Sequence, residues 1–229
     1  MKTLGLMGGM SWVSTIEYYR LINEGVNKRL GGNHAARLAM FSVNFGDIAE
    51  IVAKADWDRF LEMAAQACKG LQAAGAEAII LCANTAHIVA DRLKPRLDVP
   101  LIHLVDATAE EIRRAGLDRV SLLGTRFTME AEFFRDRLKK YGITAVTPGQ
   151  ADRDWIHATI FNELGKNIFL PATKQRYLDI IGGLSNSGAQ GAILGCTEIP
   201  LIIKPGDLAA PSFDTTAIHA EAAVNFSLG

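Results

Sequence analysis

Short apolar runs alternate with longer amphipathic segments along the whole chain. Five segments carry apolar residues at helical spacing: 12–30, 56–75, 106–116, 128–142 and 213–228. The short runs are apolar on both faces, as parallel strands are when helices cover both sides of a sheet. They are "TLGLMG" (3–8), "ARLAMFSV" (36–43), "AEAIILC" (76–82), "PLIHL" (100–104), "RVSLLG" (119–124), "ITAVTP" (143–148) and "GAILGC" (191–196). This alternation predicts a parallel α/β fold with right-handed crossovers.

The chain also resembles itself. "GAEAIILC" (75–82) matches "GAQGAILGC" (188–196), and "KTLGLMGG" (2–9) matches "DRVSLLGT" (118–125). Two such pairs predict a duplicated α/β unit. We therefore expect two pseudo-symmetric lobes, each a parallel sheet flanked by helices, with the active site in the cleft between them. The helix at 213–228 follows both repeats and is expected to return to the first lobe. The predicted lobes are 1–97 plus 208–229, and 98–207.

Composition narrows the class of protein. The 229 residues are 49% hydrophobic with a net charge of −1, which allows a large core and offers no basic run for a nucleic acid. No apolar stretch reaches the roughly 18 residues of a membrane helix, and the N-terminus reads as a strand, not a secretory signal. The three cysteines lack zinc-ligand spacing, so no metal is expected. Because they are few and odd in number, we expect reduced thiols and a cytoplasmic location.

Candidate chemistry lies where strands end, because ligands of parallel sheets bind outside the carboxyl ends of the strands. Four strand ends carry small or polar residues: "GGMS" (8–11), "CANT" (82–85), "GTRFT" (124–128) and "GCTE" (195–198). If the lobes face each other, these loops line one cleft. Cys82 and Cys196 then approach a ligand from opposite sides.

Two opposed thiols suit the inversion of a carbon that bears a hydrogen. One group removes the proton while the other donates a proton to the opposite face. A thiol titrates near pH 8.5 and is activated when a helix N-terminus lowers its pKa. Both Cys82 and Cys196 precede expected helix starts, and a lowered pKa is therefore predicted for each. A buried free cysteine is often only core, which is how we interpret Cys68.

Other candidates have both a functional and a structural interpretation. His87 and His219 are either supports of the site or ordinary structural histidines. Glu198 either orients a substrate ammonium group or caps its helix, while Arg126 and Lys166 could meet a carboxylate. The glycines of "GLMGGMSW" do not have GxGxxG spacing, so a dinucleotide site is not expected. They let backbone approach a small anion.

Taken in order, six segments resemble the aspartate/glutamate racemase family that does not use pyridoxal phosphate. They are "GLMGGMSWVSTIEYY", "CANTAH", "DAT", "LLGTRFTM", "GCTE" and "FDTTAIHAE", which run nearly end to end. The resemblance implies two lobes, no cofactor, an amino-acid substrate and Cys82 and Cys196 as the acid/base pair. It also implies a homodimer, because family members often dimerise.

The same resemblance and the strand ends together give the predicted substrate-binding set. Aspartate-specific relatives place a basic residue just after the second strand, whereas "SVNFGDIAEIV" has none until Lys54. The substrate is therefore expected to be aspartate, glutamate or another small amino acid. The expected substrate contacts are Met10, Ser11, Ala83, Asn84, Thr85, Thr125, Lys166, Thr197 and Glu198.

Two alternatives stay open from the sequence. Hydantoin racemases, maleate isomerases and arylmalonate decarboxylases share the architecture, although the decarboxylases manage with one cysteine. A two-lobed protein that binds a small ligand without turnover is the other alternative.

Overall fold

The computed structural model describes all 229 residues, which divide into two compact units: Met1–Leu104 with His219–Gly229, and Val105–Ile218. The sequence pattern places these boundaries after residues 97 and 207. The first unit contains β1 (Leu4–Gly8), α1 (Trp12–Leu30), β2 (Leu38–Ser42), α2 (Phe45–Ala53), α3 (Trp57–Ala73), β3 (Ala78–Leu81), a 3₁₀ turn (Thr85–Val89), α4 (Ala90–Leu93) and a second 3₁₀ turn (Lys94–Arg96).

The sheet of the first unit is parallel, in the order β2-β1-β3. Its register sets Leu6 opposite Met40 and Ile80, and Met7 opposite Phe41 and Leu81. One face packs on the α3 side, with Met7, Ile79 and Leu81 in its core cluster. The other face packs on the α1 side, with Leu6, Ile80 and Tyr18 in its cluster. Both faces of β1 and β3 are thus buried, as their continuous apolar runs predict, whereas the edge strand β2 is partly exposed.

The remaining elements begin at Leu104, and α11 continues into the first unit from His219 on. They are α5 (Leu104–Arg114), β4 (Arg119–Gly124), α6 (Arg126–Glu130), α7 (Glu132–Lys139), β5 (Thr144–Val146), α8 (Gln150–Asn162), a 3₁₀ turn (Leu164–Lys166), α9 (Pro171–Asn186), β6 (Ala192–Gly195), α10 (Ile199–Ile202), a 3₁₀ turn (Pro205–Asp207), β7 (Ser212–Asp214) and α11 (Thr215–Leu228).

The second sheet is also parallel, in the order β5-β4-β6-β7. Its core cluster includes Leu123 and Leu194 from the strands and Tyr177, Ile181 and Ile199 from the helices. The prediction of an α/β fold with two parallel sheets flanked by helices is confirmed.

Some predicted elements are wrong in detail. Residues 100–104 form no named strand, since Leu101 makes a single parallel bridge to Ile79 and Leu104 already begins α5. Phe213, predicted as the first residue of a helix, lies in β7, and the helix begins at Thr215. The predicted helix 128–142 is interrupted at Ala131, whose backbone is extended. None of the helices combines the length and the apolar character that a membrane-spanning segment requires.

Candidate active site

In the first unit, the ends of β1 and β3 bring two predicted loops to one edge of the sheet. Met7 pairs with Leu81, so residues 9–11 and 82–85 leave neighbouring strands side by side. Gly9 has φ +92° and lies against the backbone of Val43, where an added Cβ would come within 2.1 Å of its carbonyl oxygen. Only glycine fits this close approach between two segments of backbone.

Ser11 begins α1 as its N-cap. Its Oγ accepts a long hydrogen bond of 3.5 Å from the amide of Ser14, and its carbonyl accepts one of 2.9 Å from the Thr15 hydroxyl. Thr15 Oγ1 in turn accepts from the Gly9 amide at 2.8 Å. The partly exposed Met10 and Ser11 are therefore held on a braced turn. Ser11 has a structural role, which leaves its predicted contact with substrate a prediction.

Cys82 is the first residue after β3 and is fully buried. Its amide donates to the Met7 carbonyl at 2.9 Å, which extends the ladder by one bond. The thiol shares the apolar cluster of Leu6, Tyr18 and Ile80, with the Ile80 carbonyl 4.0 Å from its sulfur. This burial raises the pKa of the Cys82 thiol, the opposite of the predicted lowering.

Weak helix geometry explains why that prediction is wrong. A 3₁₀ turn of five residues follows Cys82, and α4 adds only four more. So short an element has little dipole to offset desolvation. Asn84 is buried, and Ala83 and Thr85 are partly exposed beside it.

In the second unit, the ends of β4 and β6 are neighbours in the same way, because Gly124 pairs with Gly195. Thr125 caps α6, since its Oγ1 accepts a 3.3 Å hydrogen bond from the Thr128 amide. Arg126 forms an exposed ion pair of 3.1 Å with Asp154. Arg126 is thus paired with a side chain of its own unit.

Cys196 is the first residue after β6 and lies beside a carboxylate. Its thiol donates to Glu198 Oε2 at 2.8 Å, and the Thr197 hydroxyl donates to the same oxygen at 2.7 Å. Cys196 and Glu198 are 8% and 7% exposed, so this contact is largely shielded from water. Burial first, and then the charge and hydrogen bond of Glu198, raise the pKa of the Cys196 thiol.

Glu198 therefore does something that neither sequence interpretation proposed. It occupies the N-cap position of α10, yet its side chain makes no capping hydrogen bond. Its carboxylate instead accepts from two neighbouring residues. The only sign of these hydrogen bonds in the sequence is the proximity of the three residues in "CTE". That proximity does not show in which direction the Glu198 side chain points.

Lys166 ends the 3₁₀ turn Leu164–Lys166, and its side chain is exposed. Leu164 belongs to the core cluster that contains Cys196 and Ile199, so the turn borders that cluster. No group of three His, Cys, Asp or Glu side chains is arranged to hold a metal ion.

His87 and His219 both lie fully inside the first unit. His87 hydrogen-bonds the Ala83 carbonyl and the Leu104 amide, and His219 hydrogen-bonds Tyr18 and the Ile102 carbonyl. Sequence reasoning did not find His103, whose ring centroid lies 4.7 Å from that of His87.

Comparisons with known proteins identify a family and several relatives that this chain resembles. A family model described as Asp/Glu/Hydantoin racemase matches residues 7–223. A proposed Asp/Glu racemase from Yersinia pestis is 46% identical with a TM-score of 0.95, and an aspartate racemase homologue from Pyrococcus horikoshii OT3 is 33% identical with a TM-score of 0.90. Both comparisons cover 100% of each chain. The broad specificity amino-acid racemase RacX of Bacillus subtilis is 27% identical over 158 residues, 68% of this chain and 66% of that protein.

Proposed function

The chain belongs to the Asp/Glu/hydantoin racemase family, and on that premise we propose that it is a cofactor-independent racemase of aspartate or glutamate. Members of this family are isomerases, and its relatives carry the names aspartate racemase homologue and amino-acid racemase. The observation that carries the proposal is a cysteine directly after the equivalent strand of each sheet, one of them bonded to a carboxylate.

The proposed reaction exchanges the Cα proton between two thiols. Glu198 accepts the Cys196 proton along their hydrogen bond, which leaves a thiolate that removes the proton from Cα. Cys82, kept protonated by burial, donates its proton to the opposite face of Cα and becomes the thiolate. The opposite enantiomer starts from that second state. Solvent reprotonates Cys82 and Glu198 passes its proton on, which restores the starting state.

The remaining predicted residues would hold the amino acid. Met10 and Ser11, with Ala83, Asn84 and Thr85, surround the strand ends of the first unit. Thr125 and Thr197 surround the strand ends of the second unit. Lys166, also in the second unit, would bind the side-chain carboxylate of the substrate. Hydroxyl and amide donors directed at the substrate carboxylate stabilise the negative charge that develops when the Cα proton leaves. We place the enzyme in the cytosol, where its three free cysteines stay reduced.

Solvent isotope exchange tests this proposal. In D₂O, each enantiomer of aspartate or glutamate should acquire deuterium at Cα while the other enantiomer accumulates. Cys82→Ser and Cys196→Ser should each lower the rate of racemisation by about 10³-fold or more, since acid–base groups contribute about 10²–10⁴-fold.

Cys68→Ser is the matched control, because Cys68 is fully buried in α3 and belongs to no candidate site. It should keep the rate of racemisation. Racemisation that survives Cys82→Ser or Cys196→Ser would refute the two-thiol mechanism. Turnover of a hydantoin alone, a trapped covalent adduct on one cysteine, or amino-acid binding without exchange would instead identify one of the alternative functions.

We also propose that the chain forms a homodimer through the β2 edge of the first unit, the edge face, made of Trp12, Ile16, Tyr19, Met40, Phe41 and Phe45, with Met40 and Phe41 on opposite sides of the edge strand. All six side chains are exposed, from 38% for Phe45 to 66% for Trp12. The Ala36 amide donates to Asn23 Oδ1 at 3.0 Å, which brings the flank of α1 that carries residues 12, 16, 19 and 23 next to β2. Strand β2 is the sheet edge and has no Lys or Pro to protect it.

The size of the edge face fits a second copy. An aromatic side chain offers about 150–250 Å², so the exposed fractions of its four aromatic residues amount to about 300–500 Å². Ile16, Met40 and the strand backbone bring this toward the roughly 800 Å² that each partner contributes to a standard interface. Two identical edges can pair about a twofold axis, which closes the assembly at two copies.

Solution mass tests the dimer. Light scattering should give twice the 24.8 kDa of one chain for the wild type, and a single chain for Ile16→Lys/Met40→Lys. Phe161→Lys/Ile168→Lys is the control, because these residues are comparably exposed but lie in the second unit. It should stay dimeric. A monomeric wild type, or a dimer that only the control pair dissolves, would reject the edge face.

A further inference from the structure

Three buried histidines cluster in the first unit, behind the loop that carries Cys82. His87, His103 and His219 are 2%, 7% and 0% exposed. The ring centroid of His87 lies 4.7 Å from that of His103 and 5.4 Å from that of His219. The proposed proton transfers use none of these histidines. Apolar side chains usually fill a protein core, so three buried imidazoles in contact call for another explanation.

The hydrogen bonds of His87 determine where its proton lies. The Leu104 amide donates to Nε2 at 3.2 Å, so Nε2 carries no hydrogen. Nδ1 must then carry the proton, and it lies 3.0 Å from the Ala83 carbonyl, which can only accept. An imidazolium would lose the bond from Leu104. Burial, together with His103 and His219, lowers the pKa of His87 well below its usual value and keeps the ring neutral.

His219 anchors the far side of this arrangement. Its Nε2 lies 2.8 Å from the Ile102 carbonyl and must donate to it, and its Nδ1 accepts from the Tyr18 hydroxyl at 2.9 Å. The backbone of residues 102–104 is therefore held at Ile102 by one histidine and at Leu104 by the other. His87 thus lies on a fixed support when it donates to Ala83.

The Ala83 carbonyl belongs to the Ala83–Asn84 peptide, one residue after the candidate catalytic thiol. The Ala83 amide donates to the Leu81 carbonyl at 2.8 Å, so both backbone groups of this residue are hydrogen-bonded. A planar peptide leaves only two soft angles at each residue. Fixing both Ala83 groups therefore fixes the turn and, with it, the direction in which Cys82 and Asn84 leave the backbone.

We propose that His87 is a positioning residue for the racemase reaction: its Nδ1–H, held as a single neutral tautomer, fixes the Cys82–Asn84 turn and so aims the Cys82 thiol. This inference rests on the proposed function. It adds a role for an imidazole that takes no part in the proposed proton transfers. A displacement of about 1 Å at a reacting group lowers a rate by about 10²-fold, which is the size of effect expected.

Two amide substitutions separate the two hydrogen bonds of His87. In His87→Asn, the side-chain amide nitrogen takes the place of Nδ1 and can still donate to Ala83, but the Leu104 amide loses its acceptor. In His87→Gln, the longer side chain places its oxygen near Nε2 and can still accept from Leu104, but the Ala83 carbonyl loses its donor. Each variant thus removes one buried hydrogen bond, so similar losses of thermal stability are expected.

The expected result is a split in kcat. His87→Asn should keep kcat within about threefold of wild type, whereas His87→Gln should lose about 10–100-fold with KM changed much less. Cys68→Ser is again the control, since it disturbs the buried core of the first unit at a residue outside the histidine cluster and the Cys82–Asn84 turn, and it should lose stability but keep kcat. Equal kcat for the Asn and Gln variants in an active enzyme would overturn the inference alone. A wild type without isotope exchange would overturn the proposed function and this inference with it.

Discussion

The two strand ends that carry Cys82 and Cys196 have the same topology and opposite surroundings. Each cysteine follows the strand that pairs with the first strand of its sheet. Cys82 is surrounded by apolar side chains and has only a carbonyl 4.0 Å from its sulfur. Cys196 donates to a carboxylate at 2.8 Å. A duplicated scaffold can therefore place two like side chains at the same point of the topology and still give them different surroundings, one apolar and one hydrogen-bonded to a carboxylate.

The register of the strands adds a second difference. Met7 pairs with Leu81 and Leu123 pairs with Leu194, so Cys82 corresponds to Gly195, and Cys196 to Ala83. The thiols are thus offset by one residue. Successive residues at the end of a strand point to opposite faces, so the two sulfurs leave their sheets toward different faces.

Replacing the Glu198 carboxylate, which distinguishes the surroundings of Cys196 from those of Cys82, has the largest expected effect. Glu198→Gln should lower kcat by about 10³-fold, because the amide cannot accept the Cys196 proton. The same change removes the negative charge that helps to raise the pKa of this thiol. Alkylation of Cys196 by iodoacetamide at neutral pH should therefore become faster while racemisation becomes slower.

That divergence distinguishes a proton acceptor from a structural residue. Glu198→Asp should restore part of kcat, since a carboxylate remains close to the thiol. If Glu198→Gln lowered the alkylation rate and kcat together, simple collapse of the loop would explain both, and the proposed role of Glu198 would fail.

Acid should weaken the first unit more than the second. Burial lowers the pKa of His219 from 6.5 to about 4. A lowered pKa contributes stability above the unfolded value, and this contribution is lost as the pH falls from 6.5 toward 4. At 1.36 kcal/mol per pKa unit, His219 accounts for about 3 kcal/mol of the free energy of unfolding across that window. His87 acts in the same direction.

Hydrogen exchange at pH 7.5 and pH 5 checks this difference. Peptides from residues 78–104 should lose protection at pH 5 well before peptides from residues 119–146. His219→Gln should reduce the difference and leave the part that His87 contributes, whereas the partly exposed His157, changed to Gln, should leave the whole difference. Equal loss of protection in both units would contradict the assignment of acid sensitivity to the histidine cluster.

Sequence reasoning succeeded where burial alone determines the answer. Strands such as 119–124 are apolar on both faces, and both the parallel sheets and their repeat follow from them. It failed for α9, whose adjacent Gly182 and Gly183 disguise a helix, and for β7, which has only three residues. The strand β7 and the segment after Pro100 are in fact equivalents. The Pro211 carbonyl accepts from the Ala192 amide and the Pro100 carbonyl accepts from the Ile79 amide, both at 2.9 Å. Ala192 and Ile79 are equivalent positions in the repeat.

The features of the candidate site also divide into those that the sequence predicts and those that it does not. Cysteines at two repeated strand ends are visible in the sequence, because repetition marks position. The direction of the pKa shifts was wrong because it depends on burial, and burial depends on the tertiary packing around each thiol. The bonds of His87 and Glu198 were missed because they depend on side-chain orientation.

The one-residue offset of the thiols has a steric cause, and the smallest predicted effect tests it. A Cβ at Gly195 would lie 2.8 Å from the Leu123 carbonyl oxygen and 3.0 Å from Thr128 Cγ2, so the position equivalent to Cys82 admits no side chain. Gly195→Ala should lower the free energy of unfolding by about 2 kcal/mol, within the range of about 1–3 for overpacking. Gly182→Ala, inside α9 with open space around it, should raise it by about 0.5–1 kcal/mol. Denaturant unfolding of both variants measures the contrast. If Gly195→Ala were as stable as Gly182→Ala, a thiol could have stood in strict register with Cys82, and packing would not explain why Cys196 lies one residue later.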